Sequence, residues 1–316
     1  MSAAGLMLAG WAVEAAFGWP DWLYRLIRHP VVWFGFIVRK FDETFNVQTW
    51  PHRLRYLSGA LVTVFLVSVA TVSAFMISCA LPNTFAGQAA EATIVSSLIA
   101  SRSLYQHVAA VAHPLTDHDL PTARTAVSMI VGRDPSQLDE AGIARAALES
   151  LAENASDGVT APLFWGAIFG LPGIVAYKAV NTLDSMIGHR TPQHGAFGGF
   201  AARLDDIANL VPARLTGLLF ASVSGTFSSV RIMVRDAGSH RSPNAGWPEA
   251  AMAGALNVRL SGPRVYGERT CEEPWLNCES PDPRAEDLKR GLALYCRAMF
   301  LGACLLGIIA VSIAIP

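Results

Sequence analysis

Charge is what this sequence has least of. Only 16% of its 316 residues are Asp, Glu, Lys or Arg, where soluble domains carry about 25%. Leu57–Leu81, Val159–Tyr177 and Met299–Pro316 contain no Asp, Glu, Lys, Arg or His at all. A net charge of −1 excludes the basic footprint of a nucleic-acid binder. The five cysteines (Cys79, Cys271, Cys278, Cys296 and Cys304) form neither a CxxC pair nor a zinc spacing and read as free thiols. No basic segment precedes the first apolar stretch, since the first Lys or Arg is Arg25, so no cleavable signal peptide is expected. GxxxxGK[ST], a strand-borne GxGxxG, a nucleophile elbow and HExxH are all missing, which removes the familiar nucleotide, serine-hydrolase and zinc-peptidase classes.

What is present is hydrophobic length. About 20 apolar residues cross a bilayer's hydrocarbon core, and backbone in lipid must satisfy its own hydrogen bonds, which makes such runs helical. Leu57–Leu81 is long enough without help. Ala3–Phe17 is interrupted by Glu14, and Leu215–Val230 is short and rich in Ser and Gly. Val159–Tyr177 carries Pro162, Gly166, Gly170, Pro172 and Gly173, so a broken or re-entrant helix is expected there, lined by protein or a polar cavity. The reading is an all-α integral membrane protein, residues 1–316 as one membrane-embedded domain. It has three to five apolar membrane segments, with polar helices at the membrane face. Among the polar helices, one is expected over Glu91–Val111, broken at His113-Pro114, and one over Leu120–Val131. A third is expected from an Asp134-Pro135 cap with Gln137 in the capping box, running to Ala155. Residues 261–287 read as irregular loop. Lys and Arg concentrate in 18–56, with six, and 231–298, with ten; five alternating spans would place these on opposite sides, against the positive-inside rule.

The chemistry-bearing residues fall between Arg133 and Arg214. Arg145, Glu149 and Glu153 recur at i, i+4 and share a helix face, with Asp157 four residues on. Ile143, Ala146, Ala147, Ser150 and Leu151 form a neighbouring strip suited to packing. Beyond the apolar run, Lys178, Asn181, Asp184 or Ser185, and His189 recur every three or four residues. Asp205 and Asn209 are one turn apart, and Arg214 precedes another apolar run. A solvated salt-bridged stripe is the plain reading of each group alone. Ionisable groups abutting membrane segments are costly to desolvate, however, and are functional candidates. Carboxylates with Asn neighbours suit Mg²⁺, which takes oxygen ligands and shares them with substrate phosphates; Lys178, His189, Arg190 and Arg214 suit phosphate.

The stretches IVGRDPSQLDEAGIARAALESLAENASDGVTAPLFW (130–165), GLPGIVAYKAVNTLDSMIGHR (170–190), FGGFAARLDDIANLVPARLTG (197–217) and SPNAGWPEAAMAGAL (242–256), with HPVVWFG (29–35), resemble the CobD/CbiB family of adenosylcobinamide-phosphate synthases. The resemblance runs nearly end to end. Glu14 stands where the family is expected to carry Asp, and Gln193-His194 stands in for a basic–aromatic pair. The resemblance implies ATP-dependent condensation of adenosylcobyric acid with (R)-1-amino-2-propanol phosphate, through an acyl phosphate. It implies Glu149, Glu153, Asp157, Lys178, Asp184 and His189 as catalytic candidates. Glu153, Asp157, Asp184, Asp205 and Asp206 become candidate Mg²⁺ ligands. Asn154, Asn181, Ser185, Arg190, Asn209, Arg214 and Asn244 become substrate-binding candidates. ATP and Mg²⁺ are the expected cofactors, and the corrinoid and aminopropanol phosphate the substrates. The location implied is the cell (inner) membrane, multi-pass, with a cytoplasmic active face, in company with other late cobalamin-synthesis membrane enzymes. Two other readings start from the same residues. A Mg²⁺-dependent prenyl- or phospho-alcohol transferase would use Asp184 and Asp205-Asp206, but its paired NDxxD or DDxxD spacing is missing. A non-catalytic membrane regulator or transporter of related fold would be expected to have lost these charges.

Overall fold

The computed structural model describes residues 1–132, 134–266 and 269–314; Arg133, which opens the chemistry-bearing region, lies outside them. Among the described residues helices dominate, and strands are confined to four short pieces. Three helical segments are long and apolar enough to cross a membrane, His52–Ala80, Glu140–Ile187 and Ala285–Ile313, and Ala3–Phe17 is a shorter apolar helix. The chain is therefore an all-α membrane protein. It divides into two compact units, interleaved along the sequence.

The first unit comprises Met1–Ala100, Ala161–Asn209 and the end from Leu306. It contains α1 (Ala3–Phe17), α2 (Asp21–Ile27), α3 (Pro30–Phe45), α4 (His52–Ala80), α5 (Phe85–Ser96) and α9 (Ala161–Ile187). Caps fix several starts: Ser2 accepts from the Gly5 amide before α1, and Thr84 from Gly87 before α5. Gly10 of α1 lies where a Cβ would be 2.4 Å from Val95 of α5, so α1 and α5 touch backbone to side chain. Val38, Val62, Leu66, Leu183, Ile187 and Phe197 form the core shared by α3, α4 and α9.

Helix α9 is broken as its glycines and prolines require. Gly170 has φ +66°, outside the helical region, and Pro172 follows. A Cβ on Gly173 would lie 2.3 Å from the Trp165 carbonyl oxygen, and one on Gly166 3.2 Å from Ile174 Cβ. Residues eight apart in a straight helix are about 12 Å apart, so the arms 161–169 and 171–187 fold back on each other. This is a re-entrant hairpin, and its apex presents Ile168 and Phe169 outward.

The second unit comprises Ser101–Thr160 and Leu210–Leu305. It holds α6 (Ser101–Thr116), α7 (Leu120–Ser128), α8 (Glu140–Ala155), α11 (Phe227–Asp236) and α12 (Gly246–Leu256). Helices α10 (Gly199–Val223) and α13 (Ala285–Ala314) each have residues in both units. The strip Ile143, Ala146, Ala147, Ser150 and Leu151 is buried, as its composition requires. A π-helical turn, Ser156–Thr160, follows α8, with Thr160 Oγ1 donating to the Ala155 carbonyl at 3.0 Å.

Several boundaries differ from expectation. The helix expected over Glu91–Val111 is two, because the chain turns at 97–100, where Ser97 Oγ bonds the Ile94 carbonyl. Pro114 sits inside α6, which continues to Thr116. Helix α8 starts at Glu140: Asp139 caps it by accepting from Gly142, while Asp134 is occupied by Ser136 in a local turn. The apolar run Leu215–Val230 is divided at residues 224–226, where Gly225 has φ +71°, so it is no span. Residues 261–287 are not wholly irregular: β1 (Leu260–Ser261) pairs antiparallel with β4 (Trp275–Leu276), and β2 (Arg264–Tyr266) with β3 (Arg269–Cys271). Cys79, Cys278, Cys296 and Cys304 are free.

Candidate functional site

In the first unit the second arm of α9 and the start of α10 bring a polar cluster together. Asp205 is 7% exposed and Asn209 1%. Asn209 Nδ2 donates to Asp205 Oδ2 at 3.0 Å, and Asn181 Nδ2 approaches Asp205 Oδ1 at 3.5 Å. Tyr177 donates its hydroxyl to Asn209 Oδ1 at 2.9 Å, which fixes the carboxamide so that its NH₂ faces the carboxylate. Burial, then the Asp184 charge, pushes the Asp205 carboxyl up to about 7, against the hydrogen bonds from Asn209 and Asn181. Burial also raises Asp206, opposed by the Arg190 guanidinium. Asp184 stands within electrostatic reach of both Asp206 and His189. Gly188 makes room for it, since a Cβ there would lie 2.0 Å from Asp184 Oδ1.

The same arm carries Lys178, whose charge, after burial, lowers the pKa of His29 at the start of α3. His29 Nδ1 accepts from the Val31 amide at 3.3 Å, so a neutral ring holds its proton on Nε2. Ser185 is not drawn into the cluster: it is exposed and its hydroxyl bonds the Asn181 carbonyl. His189 and Arg190 are exposed on the 188–198 connection. That connection is held from behind: Arg55 and Asn46 both donate to the Gln193 carbonyl, and Asp42 pairs with His194 at 3.1 Å. Gln193 and His194 thus serve to anchor the loop.

In the second unit, Glu149 is buried and its Oε1 accepts from the Ser261 amide at 2.7 Å. Ser261 has φ +61°, so this bond supports a left-handed turn beside β1. Arg145 turns to Asp282 and lies 4.6 Å from the Trp275 ring, whose other guanidinium neighbour, Arg259, is 4.3 Å away and also bonds Asp282. Asn154 Nδ2 donates back to the Ser150 carbonyl at 2.9 Å, and Glu153 is exposed. Asp157 sits in the π-helical turn, a feature frequent at functional sites. Arg214 stacks 4.5 Å from Trp247. Asn244 is buried in the loop before α12, next to His240, whose Nε2 is 3.7 Å from Glu249 Oε2.

The five carboxylates proposed as metal ligands divide between the units, with Glu153 and Asp157 in one and Asp184, Asp205 and Asp206 in the other. Among the described residues no three His, Cys, Asp or Glu side chains gather as a metal centre. Sequence reasoning missed His29, Tyr177 and the His240–Glu249 pair. His29 lies within HPVVWFG and Glu249 within SPNAGWPEA, so those motifs were the signal; the partners are too distant in sequence for spacing to find.

Fold and cluster together define a helical membrane protein with a buried carboxylate–carboxamide site beside a re-entrant hairpin. The sequence profile of the family described as CobD/Cbib protein matches residues 7–295, and the chain belongs to the CobD/CbiB family. Relatives named cobalamin biosynthesis protein CobD agree in length as well as sequence. That of Rhodobacter capsulatus is 55% identical over 98% of both chains. That of Brucella suis is 47% identical over 90% of both, and that of Sinorhizobium fredii 44% identical over 90% of both. No solved structure matches. Membership places the chain in cobalamin biosynthesis.

Proposed function

We propose that this chain is an adenosylcobinamide-phosphate synthase of the cell membrane, working as one embedded domain with its active face to the cytoplasm, where ATP and the corrinoid reside. The observation that carries the reading is the buried set Asp205, Asn181, Asn209 and Tyr177 with Asp184 and Asp206 beside it. A free carboxylate is a poor acyl donor, because its leaving group would be oxide. A propionate carboxylate oxygen of cobyric acid therefore attacks the γ-phosphorus of ATP; the bond to the β-phosphate oxygen breaks, and ADP leaves an acyl phosphate. The amine of aminopropanol phosphate then forms the C–N bond, the acyl C–O bond breaks, and inorganic phosphate departs.

Within that scheme Lys178, Arg190 and Arg214 are assigned to phosphate groups. His189, or a cluster carboxylate that does not hold the metal, takes the proton released from the ammonium. Asn154 and Asn244 are assigned to the amide-rich corrin rim, and Asn181 and Asn209, committed to Asp205, to positioning that carboxylate. Oxygen-only donors and like charges in a buried site fit Mg²⁺, which needs one or two carboxylates and completes its shell from phosphate and water. One or two of Asp184, Asp205 and Asp206 would hold it, with Glu153 and Asp157 the candidates in the second unit. When bound, Mg²⁺ supplies neutralisation of the charge on the transferring phosphoryl group. Glu149, with one oxygen committed to Ser261, is assigned to positioning.

The test is reconstitution of the purified protein in lipid-supplemented detergent with cobyric acid, Mg²⁺-ATP and aminopropanol phosphate, with the corrinoid followed by mass spectrometry. Cobinamide phosphate appearing only with all three additions supports the proposal. Folded protein that yields no product and binds none of the three opposes it.

A further inference from the structure

Helix α3 has two apolar faces, and only one of them has a protein partner. Phe34, Val38 and Phe41 pack inward, against Val62 and Leu66 of α4 and Leu183 and Ile187 of α9. Val32, Trp33, Phe36 and Ile37 recur at i, i+1, i+4 and i+5 and point the other way; Trp33 is 48% exposed and Phe36 60%. The inner contacts fix the depth of the outer ones. Val62 and Leu66 lie five and nine residues inside the uncharged run that begins at Leu57, and Phe41 stacks on Phe65 at 5.8 Å. With 1.5 Å of rise per residue, these contacts lie roughly 8–13 Å along α4 from the start of the run.

At 16 residues α3 is about 24 Å long, short of the ~30 Å hydrocarbon core. Its C-terminal end lies beside the start of α4, where Ser58 Oγ donates to the Phe45 carbonyl at 3.0 Å, and returns to charge, with Lys40 bonded to Glu43 at 2.8 Å, so its N-terminal end reaches well along the uncharged run. Its N-terminal end is tied to α2, since the Trp33 indole donates to the Ile27 carbonyl at 2.7 Å. Helix α2 presents Trp22 and Leu26, 67% and 73% exposed, one turn apart, beside the exposed Arg25 and Arg28. Aromatic and basic side chains on one short helix are the composition of a headgroup layer.

We propose that α3 is embedded in the bilayer beside α4, running back along it with its outer face covered by acyl chains, and that α2, at the far end of α3, lies in an anionic headgroup layer with Arg25 and Arg28 on lipid phosphates. A soluble partner would need to reach a surface set against the middle of a membrane span. The charge of α2 matches lipid phosphate.

The test places single nitroxide labels on the full chain, its native cysteines replaced by serine, in phosphatidylcholine nanodiscs with or without phosphatidylglycerol. Labels at Trp33, Phe36 and Ile37 should collide with oxygen more than with a nickel chelate, as a label at Val72 on the exposed side of α4 does. A label at the exposed Glu43 should do the reverse. If Phe36 and Ile37 behave as Glu43 does, the face is in water; if both are shielded from both reagents, protein covers it. Either result overturns the embedding. A label at Tyr24 should lose mobility when phosphatidylglycerol is present, and Arg25→Glu with Arg28→Glu should abolish the difference. Equal mobility in the two lipids overturns the headgroup assignment.

Discussion

Substituting Gly188 by alanine should disable the site while leaving the fold standing. An added Cβ would lie 2.0 Å from Asp184 Oδ1 and 2.7 Å from the Asp184 carbonyl oxygen. Non-bonded contacts at a Cβ below 3.0 Å essentially do not occur, so the carboxylate must retreat by about 1 Å and the helix end must shift with it. A misplacement of about 1 Å in a catalytic geometry costs roughly 100-fold in rate. Turnover of cobyric acid, followed by mass spectrometry with all substrates saturating, should fall by about that factor. Gly132→Ala is the control, because nothing lies within 4 Å of a Cβ there; it should turn over normally. Wild-type turnover in Gly188→Ala, with unchanged gel-filtration profile and helicity, would refute the placement of Asp184 in the reaction.

Tyr177→Phe removes the hydroxyl that fixes Asn209 and leaves a buried acceptor unsatisfied. It should cost about 1–3 kcal/mol, read as a lowered melting temperature, and should also lower kcat because Asn209 no longer faces Asp205. Glu149→Gln keeps an oxygen for the Ser261 amide and should retain turnover, whereas Glu149→Ala should lower thermal stability; loss of turnover in the Gln variant with stability intact would make Glu149 a reacting group. Asp282 is held below the usual carboxylate range, first by the Arg259 hydrogen bond and then by Arg145. Its contribution is therefore present above the unfolded value of about 3.9 and is lost as pH falls through the lower folded value. Asp282→Asn should flatten the fall in melting temperature between pH 5 and pH 3, and an unchanged profile would count against the Arg145–Asp282–Arg259 clamp.

Much of this architecture was legible because lipid leaves few options. The uncharged run at Leu57–Leu81 names α4, and the Gly and Pro set around Gly170 announces a broken or re-entrant helix; the contacts of Gly166 and Gly173 decide for arms that fold back. The start of α8 was misread because both Asp134 and Asp139 satisfy a capping pattern, and only the local bonds to Ser136 decide between them. The polar periodicity put Asp205 and Asn209 one turn apart, and i, i+4 spacing survives folding; Asn181 reaches Asp205 from another helix, which spacing does not foretell. The periodicity also drew in Ser185, which shares that helix but bonds its own backbone. His29 and Lys178 are far apart in sequence and meet only because α3 packs on α9. The inner face of α3 was hidden for a similar reason, because both its faces are apolar and periodicity cannot say which one has a partner.

The proposed synthase activity requires the buried Asp205 cluster for its chemistry. Asp205→Asn keeps the shape and the bond accepted from Asn209, removes the ionisable group, and gives up the longer contact with Asn181. Its turnover of cobyric acid to cobinamide phosphate, measured beside the wild type in equally folded protein, is the most direct test. Wild type should form product and Asp205→Asn less than about one hundredth as much, in line with the 10²–10⁴-fold worth of a positioned acid–base group. Equal product from both would contradict that requirement.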